Sequence, residues 1–361
     1  MKSGNREIWN ELLSMETVDG HAHPWSASPV NANGPDIRWG LRHDLSHTAL
    51  MREWKSLLEF CNSDGRDYNV GEVARKIGLS EILIDTGWPL NKSGKRDMFP
   101  SEFIPFHRLA RIEDAWAVAL EGRKSLNAVM DGLSQALVEL KRKTVRFAGW
   151  KSVVAYSTGL DICHRSPRNI ADALRLFAAR PNQRIPKELA DWLFLMTIKE
   201  ISRMGDVLQL HTGFGVSMSC QSKTDPSNLI PILADDAGSL KVVLLHSGWP
   251  FTRQAGWMAR MFQHVYVDLS MMPLYHPLEY TDILRELWYI SPHDKLIYGS
   301  DAFTTQENYV LALWQAKSSL CELGAELLQF GLDKEEIETG FRSFLSNNCR
   351  KLYNLHIGNG D

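Results

Sequence analysis

The sequence predicts an α/β fold, a closed (β/α)8 barrel of the TIM class with helical insertions after strands 1 and 4. Three observations carry that prediction. Eight short apolar runs, with β-branched and aromatic content, each end in polar or glycine-containing segments, as buried parallel strands do. Amphipathic patterns, with apolar residues three and four positions apart, lie between them. The runs also recur at βα spacing: 35 positions separate His211 from His246, and the 55 from His246 to Asp301 leave room for one further unit. Strand then helix, eight times, favours closure into a barrel.

The chain opens on "MKSGNREIWNELLSM", an amphipathic helix without the apolar core of a signal peptide. Strands 1 to 4 are read in "ETVDGHAHP", "SEILIDTGW", "HRLARIED" and "VRFAGWKSVVAY". Strands 5 to 8 follow in "DVLQLHTGFG", "KVVLLHSGWP", "HVYVDLSMM" and "KLIYGSDAF". Helices are read in "SLNAVMDGLSQALVELKRK", "NIADALRLFAA" and "KELADWLFLMTIKEISRMG". Residues 24–80 form a long excursion after strand 1, and residues 161–204 carry at least two helices between strands 4 and 5. Insertions of that length cover a barrel's active face or form interfaces. No linker composition interrupts the chain, so a single domain over 1–361 is expected.

Composition narrows the function classes. A chain of 361 residues, 44% hydrophobic, has enough apolar material for one large core. The formal charge of −3 and the absence of a basic run predict neither a nucleic-acid nor a membrane partner. No window is apolar over the 18 or more residues of a membrane span. The five cysteines are scattered, odd in number and form no C-x-x-C pair, which predicts reduced thiols and a cytoplasmic location. The expected partners are a small-molecule substrate and further copies of this chain in a homo-oligomer.

Barrels of this class place their chemistry at the C-terminal ends of the strands. Strand 1 ends in His21 and His23, strand 4 contains Lys151, strands 5 and 6 end in His211 and His246, and strand 8 ends in Asp301. Residues two apart on a strand share a face, so His21 and His23 point to the same side. Each of these residues also has an ordinary reading. An H-x-H pair occurs in turns, and a lone histidine is often a hydrogen-bonded core residue. Asp301 and Lys151 are more telling, because a bare charge at the end of an apolar strand requires a partner, a metal or a shifted pKa. Taken together at one structural level, the set predicts a divalent metal site.

Read in order, "VDGHAHP", "GWKSVVAYSTGL", "LQLHTGFG", "LLHSGWPF", "VYVDLS" and "LIYGSDAF" resemble the strand motifs of the amidohydrolase superfamily, in its amidohydrolase-2 branch. The closing "NNCRKLYNL" resembles that branch's last helix, with Cys349 where alanine is common. The likeness is strongest to metal-dependent hydrolase domains of the type fused to glutamine synthetase-like proteins, and it covers roughly residues 15–355.

The resemblance implies a metal-dependent hydrolase acting on an amide C–N bond, or a C–O bond, of a small polar substrate through a metal-activated water. It implies His21, His23, Lys151, His211 and Asp301 as the candidate metal ligands, with zinc ahead of manganese and one ion ahead of two. Two ions would bring in Lys151 as a carbamylated bridge, with His211 and His246 on the second. Asp301 and His246 are the implied catalytic pair, the first for proton transfer and the second on the water or oxyanion. Two other functions share the ligands: non-oxidative decarboxylation, and a catalytically idle metal-binding barrel. Arg111 and Glu113 end the third strand; for substrate contacts, Arg111 offers two parallel donors to a carboxylate, or a salt bridge with a neighbouring acid. Trp25, Trp88 and Trp249 follow strands and wall a pocket or simply pack. His43, His47, His107 and His164 fall on expected loops or helices and carry no functional signal.

Overall fold

The structure is a computed structural model that describes residues 3–24, 45–61, 68–87, 103–180, 183–215, 220–235, 238–303 and 305–355. Eight strands run in chain order through one sheet: β1 (Thr17–Ala22), β2 (Leu79–Asp85), β3 (Phe106–Arg111), β4 (Phe147–Ser152), β5 (Val207–Leu210), β6 (Lys241–Leu244), β7 (Val265–Asp268) and β8 (Leu296–Ile297). The ladders are parallel, as in β4–β5, where Lys151 pairs with Gln209, and in β5–β6, where Leu210 pairs with Leu244. Past the last strand, Gly20 N donates to Tyr298 O at 2.9 Å and Asp301 N to His21 O at 2.8 Å, returning the end of the sheet to its start. The fold is the (β/α)8 barrel that the alternation predicts, and "VYVD" is a parallel strand paired to β6.

The chain divides into two compact units. One comprises residues 1–107 and 268–361, the other residues 108–267. In the first, α1 (Ser3–Ser14) precedes β1, and α2 (Leu45–Phe60) and α3 (Val70–Lys76) lie in the excursion before β2. Every residue of β1 is buried, as in a strand covered on both faces. In the second, α4 (Ile112–Leu120) and α5 (Leu126–Lys143) join β3 to β4, and α6 (Pro167–Ala179) and α7 (Lys187–Met204) form the insertion before β5.

Local chemistry explains these helices. Ser125 caps α5 by accepting from Ala128 N, while Lys141, Arg142 and Lys143 in its last turn complement the helix dipole. Val129, Leu133 and Leu137, four apart, give α5 its buried stripe. Pro167 follows the cap Ser166 at the start of α6, and Gly205, at φ 70°, ends α7 where a Cβ is costly. No helix among the described residues is long and apolar enough to cross a membrane.

Two placements differ from the sequence reading. Glu113 belongs to the first turn of α4 rather than to strand 3, because the strand ends at Arg111. His107 lies in β3, not on a loop or helix, and its Nε2 sits 2.7 Å from Glu81 Oε2. Trp25, Trp88 and His43 lie outside the described residues, as does the side chain of His47.

Candidate metal centre

In the first unit, three ligand-type side chains converge. His21 is fully buried on β1, His23 follows two residues later, and Asp301 sits in the turn after β8 with 8% of its surface exposed. His21 Nε2 and His23 Nε2 each lie 3.3 Å from the same oxygen, Asp301 Oδ1. The two rings are 5.1 Å apart and nearly perpendicular. A divalent ion with bonds of about 2.0–2.1 Å in tetrahedral geometry sets its ligand atoms about 3.3–3.4 Å apart. Each imidazole nitrogen stands from the carboxylate oxygen at the spacing of two ligands on such an ion, and the donor types suit zinc.

The backbone around these groups is tied down. His23 N donates to Ala302 O at 2.9 Å, and the Tyr309 hydroxyl donates to His23 O. Asp301 adopts φ 53°, a left-handed conformation that aspartate tolerates better than most residues. His23 Nδ1 lies 3.2 Å from Asp85 O, an acceptor that places the ring proton on Nδ1 and leaves Nε2 for a ligand role. Asp19, on the same face of β1, accepts from His21 N at 3.2 Å and from Ser300 N at 2.9 Å. One carboxylate thus anchors the backbone beside both His21 and Asp301. Burial pushes Asp19 up to about 8; its Ser300 and His21 bonds oppose the rise and nearby Asp268 adds to it.

The sequence reading missed Asp85 and Asp19. The signal was present for both: an acid inside or ending an apolar strand, the same cue that singled out Asp301.

The second unit assembles the other candidates. Lys151 is 2% exposed on β4, in register with Arg111 of β3 and Gln209 of β5. His211 immediately follows β5, and His246 opens the tight turn after β6. His246 Nε2 lies 2.9 Å from His211 Nδ1, so the two rings share one proton, and His211 Nε2 lies 3.1 Å from Phe214 O. His246, Ser247 and Gly248 all have positive φ, at 62°, 57° and 62°. Two adjacent non-glycine residues in that region cost of order 1–3 kcal/mol each, and such strain gathers at functional sites. Tyr156 covers the other side of His211 with ring centroids 4.1 Å apart.

The candidate substrate residues separate. Burial raises the Glu113 carboxyl, which accepts from Ser152 Oγ and Val153 N, each at 2.8 Å; those bonds and, less, the Arg111 charge oppose the rise. Trp249 meets Phe214 edge-on at 5.8 Å, and its carbonyl accepts from Phe214 N at 2.6 Å, so it braces the loop after β5.

A family model described as Amidohydrolase matches residues 170–355, a span that contains His211, His246 and Asp301. Protein fluG of Emericella nidulans is 31% identical over 222 residues, which cover 58% of this chain and 26% of that protein. The match therefore spans about a quarter of that relative's length. Among solved structures, a candidate metal-dependent hydrolase from Lactobacillus casei superposes with a TM-score of 0.82 at 21% identity, over 97% of this chain and 99% of the other. A uronate isomerase from Thermotoga maritima superposes with a TM-score of 0.63 at 13% identity, over 98% of each chain. Both structural likenesses concern the fold.

Proposed function

The chain belongs to the amidohydrolase family and is an enzyme of the hydrolase type, and from that premise we propose that it cleaves an amide C–N bond in a small polar substrate, ahead of an ester or lactone C–O bond. We assign it one divalent ion, zinc ahead of manganese, held by His21, His23, His211 and Asp301, with Lys151 joining the ligands if a second ion binds. The observation that carries this reading is the pair of imidazole nitrogens, each 3.3 Å from Asp301 Oδ1. When bound, the ion supplies Lewis-acid chemistry, activating water and polarising the scissile bond.

The chain's own groups do the rest. Asp301 turns Oδ1 toward the imidazoles and uses its second oxygen to take the water proton and pass it to the leaving group. His246, oriented by its bond to His211, acts on the oxygen on which charge develops. Arg111 and Trp249 remain proposed substrate contacts, with Trp88. The two units work as one catalytic domain in this reading. Five free thiols suit a reducing cytoplasm. Self-association is proposed with them; light scattering that returns only the 41.0 kDa chain mass removes it.

The test pairs metal analysis with turnover. Purified protein should carry about one tightly held divalent ion per chain, and His21→Ala should lose both the ion and activity on an amide panel. Absence of any stoichiometric ion after growth with zinc or manganese sinks the site. Release of CO2 in place of amine or ammonia moves the chemistry to decarboxylation.

A further inference from the structure

Beside the His211 ring, the second unit holds a cavity of about 270 Å³. Its wall includes Tyr156, Thr158, Gly159, Arg184, Lys187 and Lys223, and none of the described lining residues is acidic. The charges around it do not cancel. Lys187 Nζ lies 3.1 Å from both Asp161 Oδ1 and Asp191 Oδ1, and Arg165 forms an ion pair with Asp191 at 2.8 Å. Those two cations and two anions compensate one another. Arg184 and Lys223, both exposed, have no carboxylate partner among the described residues and leave the cavity positive.

The backbone holds one of these cations in place. Gly159, at φ 88°, lets the Asp161 carboxylate and the Lys223 stem lie against the backbone: a Cβ there would stand 2.7 Å from Asp161 Oδ1 and 3.0 Å from Lys223 Cβ. Leu160 N fixes the same residue by donating to Lys223 O at 2.7 Å. Lys223 is thus held at the cavity by its own main chain and stem.

We propose that this cavity receives an anionic group, a carboxylate or phosphate, of the enzyme's substrate, with Arg184 and Lys223 supplying the charge. Tyr156 is the wall shared with His211, so a ligand seated here extends its uncharged end past that ring. The volume, just under the usual 300–1,000 Å³ of small-molecule sites, suits a small organic acid rather than a polymer. Identifying the ligand as substrate rests on the hydrolase reading above; the anion affinity does not.

The experiment titrates metal-loaded protein calorimetrically with glutarate and, separately, inorganic phosphate. Saturable binding is expected, weakened about 10-fold by Arg184→Ala or Lys223→Ala, as for loss of one charge-assisted bond. Lys223→Arg should largely restore it, and added salt should weaken it. The better-bound anion identifies the group. No saturable binding, or binding that both truncations leave unchanged, overturns the proposal. In turnover, Lys223→Ala should raise KM about 10-fold for an anionic N-acyl substrate with little change in kcat; an unchanged KM removes the substrate assignment. Pocket-dependent binding in a protein that shows neither metal nor turnover would retain the anion site and reject the hydrolase reading.

Discussion

Asp301 is the residue on which the candidate chemistry turns. Its Oδ1 faces two imidazoles at 3.3 Å, and its backbone sits at φ 53°. Asparagine tolerates that conformation equally well and keeps an oxygen toward the imidazoles, but it accepts no proton at neutral pH. Asp301→Asn should therefore keep most of its metal and lose about 10²–10⁴-fold in kcat. Full metal with near-native kcat would pass proton transfer to His246. Metal lost in step with activity would leave Asp301 as a ligand only. Asp19 acts one step back, through the amides of His21 and Ser300. Supporting residues of this kind typically contribute 10–100-fold to metal affinity. Asp19→Ala should lose about that much in a competition titration with a chelator, whereas Asp19→Asn keeps an acceptor oxygen and should lose less. Equal affinities for Asp19→Ala and the native protein would reject the anchoring role.

At the scale of elements, the helix over Glu307–Gln329 carries the fully buried Lys317. Its ammonium donates to Met15 O at 2.8 Å and Ile77 O at 2.6 Å. Those carbonyls stand at the ends of α1 and α3, each just before a strand, so one side chain satisfies two helix termini. Burial lowers Lys317 from 10.5 to about 7. Between those values the unfolded chain holds a proton that the folded chain does not. Stability from this group is thus complete above the unfolded pKa and is lost as pH falls through the folded one. The melting temperature of the native protein should accordingly rise, relative to Lys317→Met, as pH climbs from about 7 toward 10. A difference that stays flat across that window would show that Lys317 stays charged in the fold.

For the whole molecule, the proposed metal would be linked to folding. An ion that binds only the folded chain stabilises it by about 4 kcal/mol at a thousand times its Kd. Removing the metal with a chelator should lower the melting temperature by several degrees, and zinc should restore it. The same shift in His21→Ala would mean that the stabilising ion binds elsewhere. A metal content near two would add Lys151 and His246 to the ligands. This test reads stability without needing a substrate.

The eight strands, the insertions after strands 1 and 4 and the ligand types at the strand ends were legible in the sequence, because each rests on local physics. Apolar runs make buried strands, 3.6-residue patterns make helices, and a charge at the end of an apolar strand needs a partner. Asp19 and Asp85 carried that same cue but stood close to stronger ones. Glu113 was misplaced because one residue decides whether a polar side chain ends a strand or starts a helix. Which Asp301 oxygen meets both imidazoles, the proton shared by His211 and His246, and the pairing of Lys187 and Arg165 with Asp161 and Asp191 were not legible. These depend on distances between residues far apart in the chain, and on turns such as the left-handed run at His246, which no side-chain pattern encodes. The sequence determined which chemical groups were available at the strand ends; tertiary structure decided which of them meet, because charge and hydrogen bonding act through space.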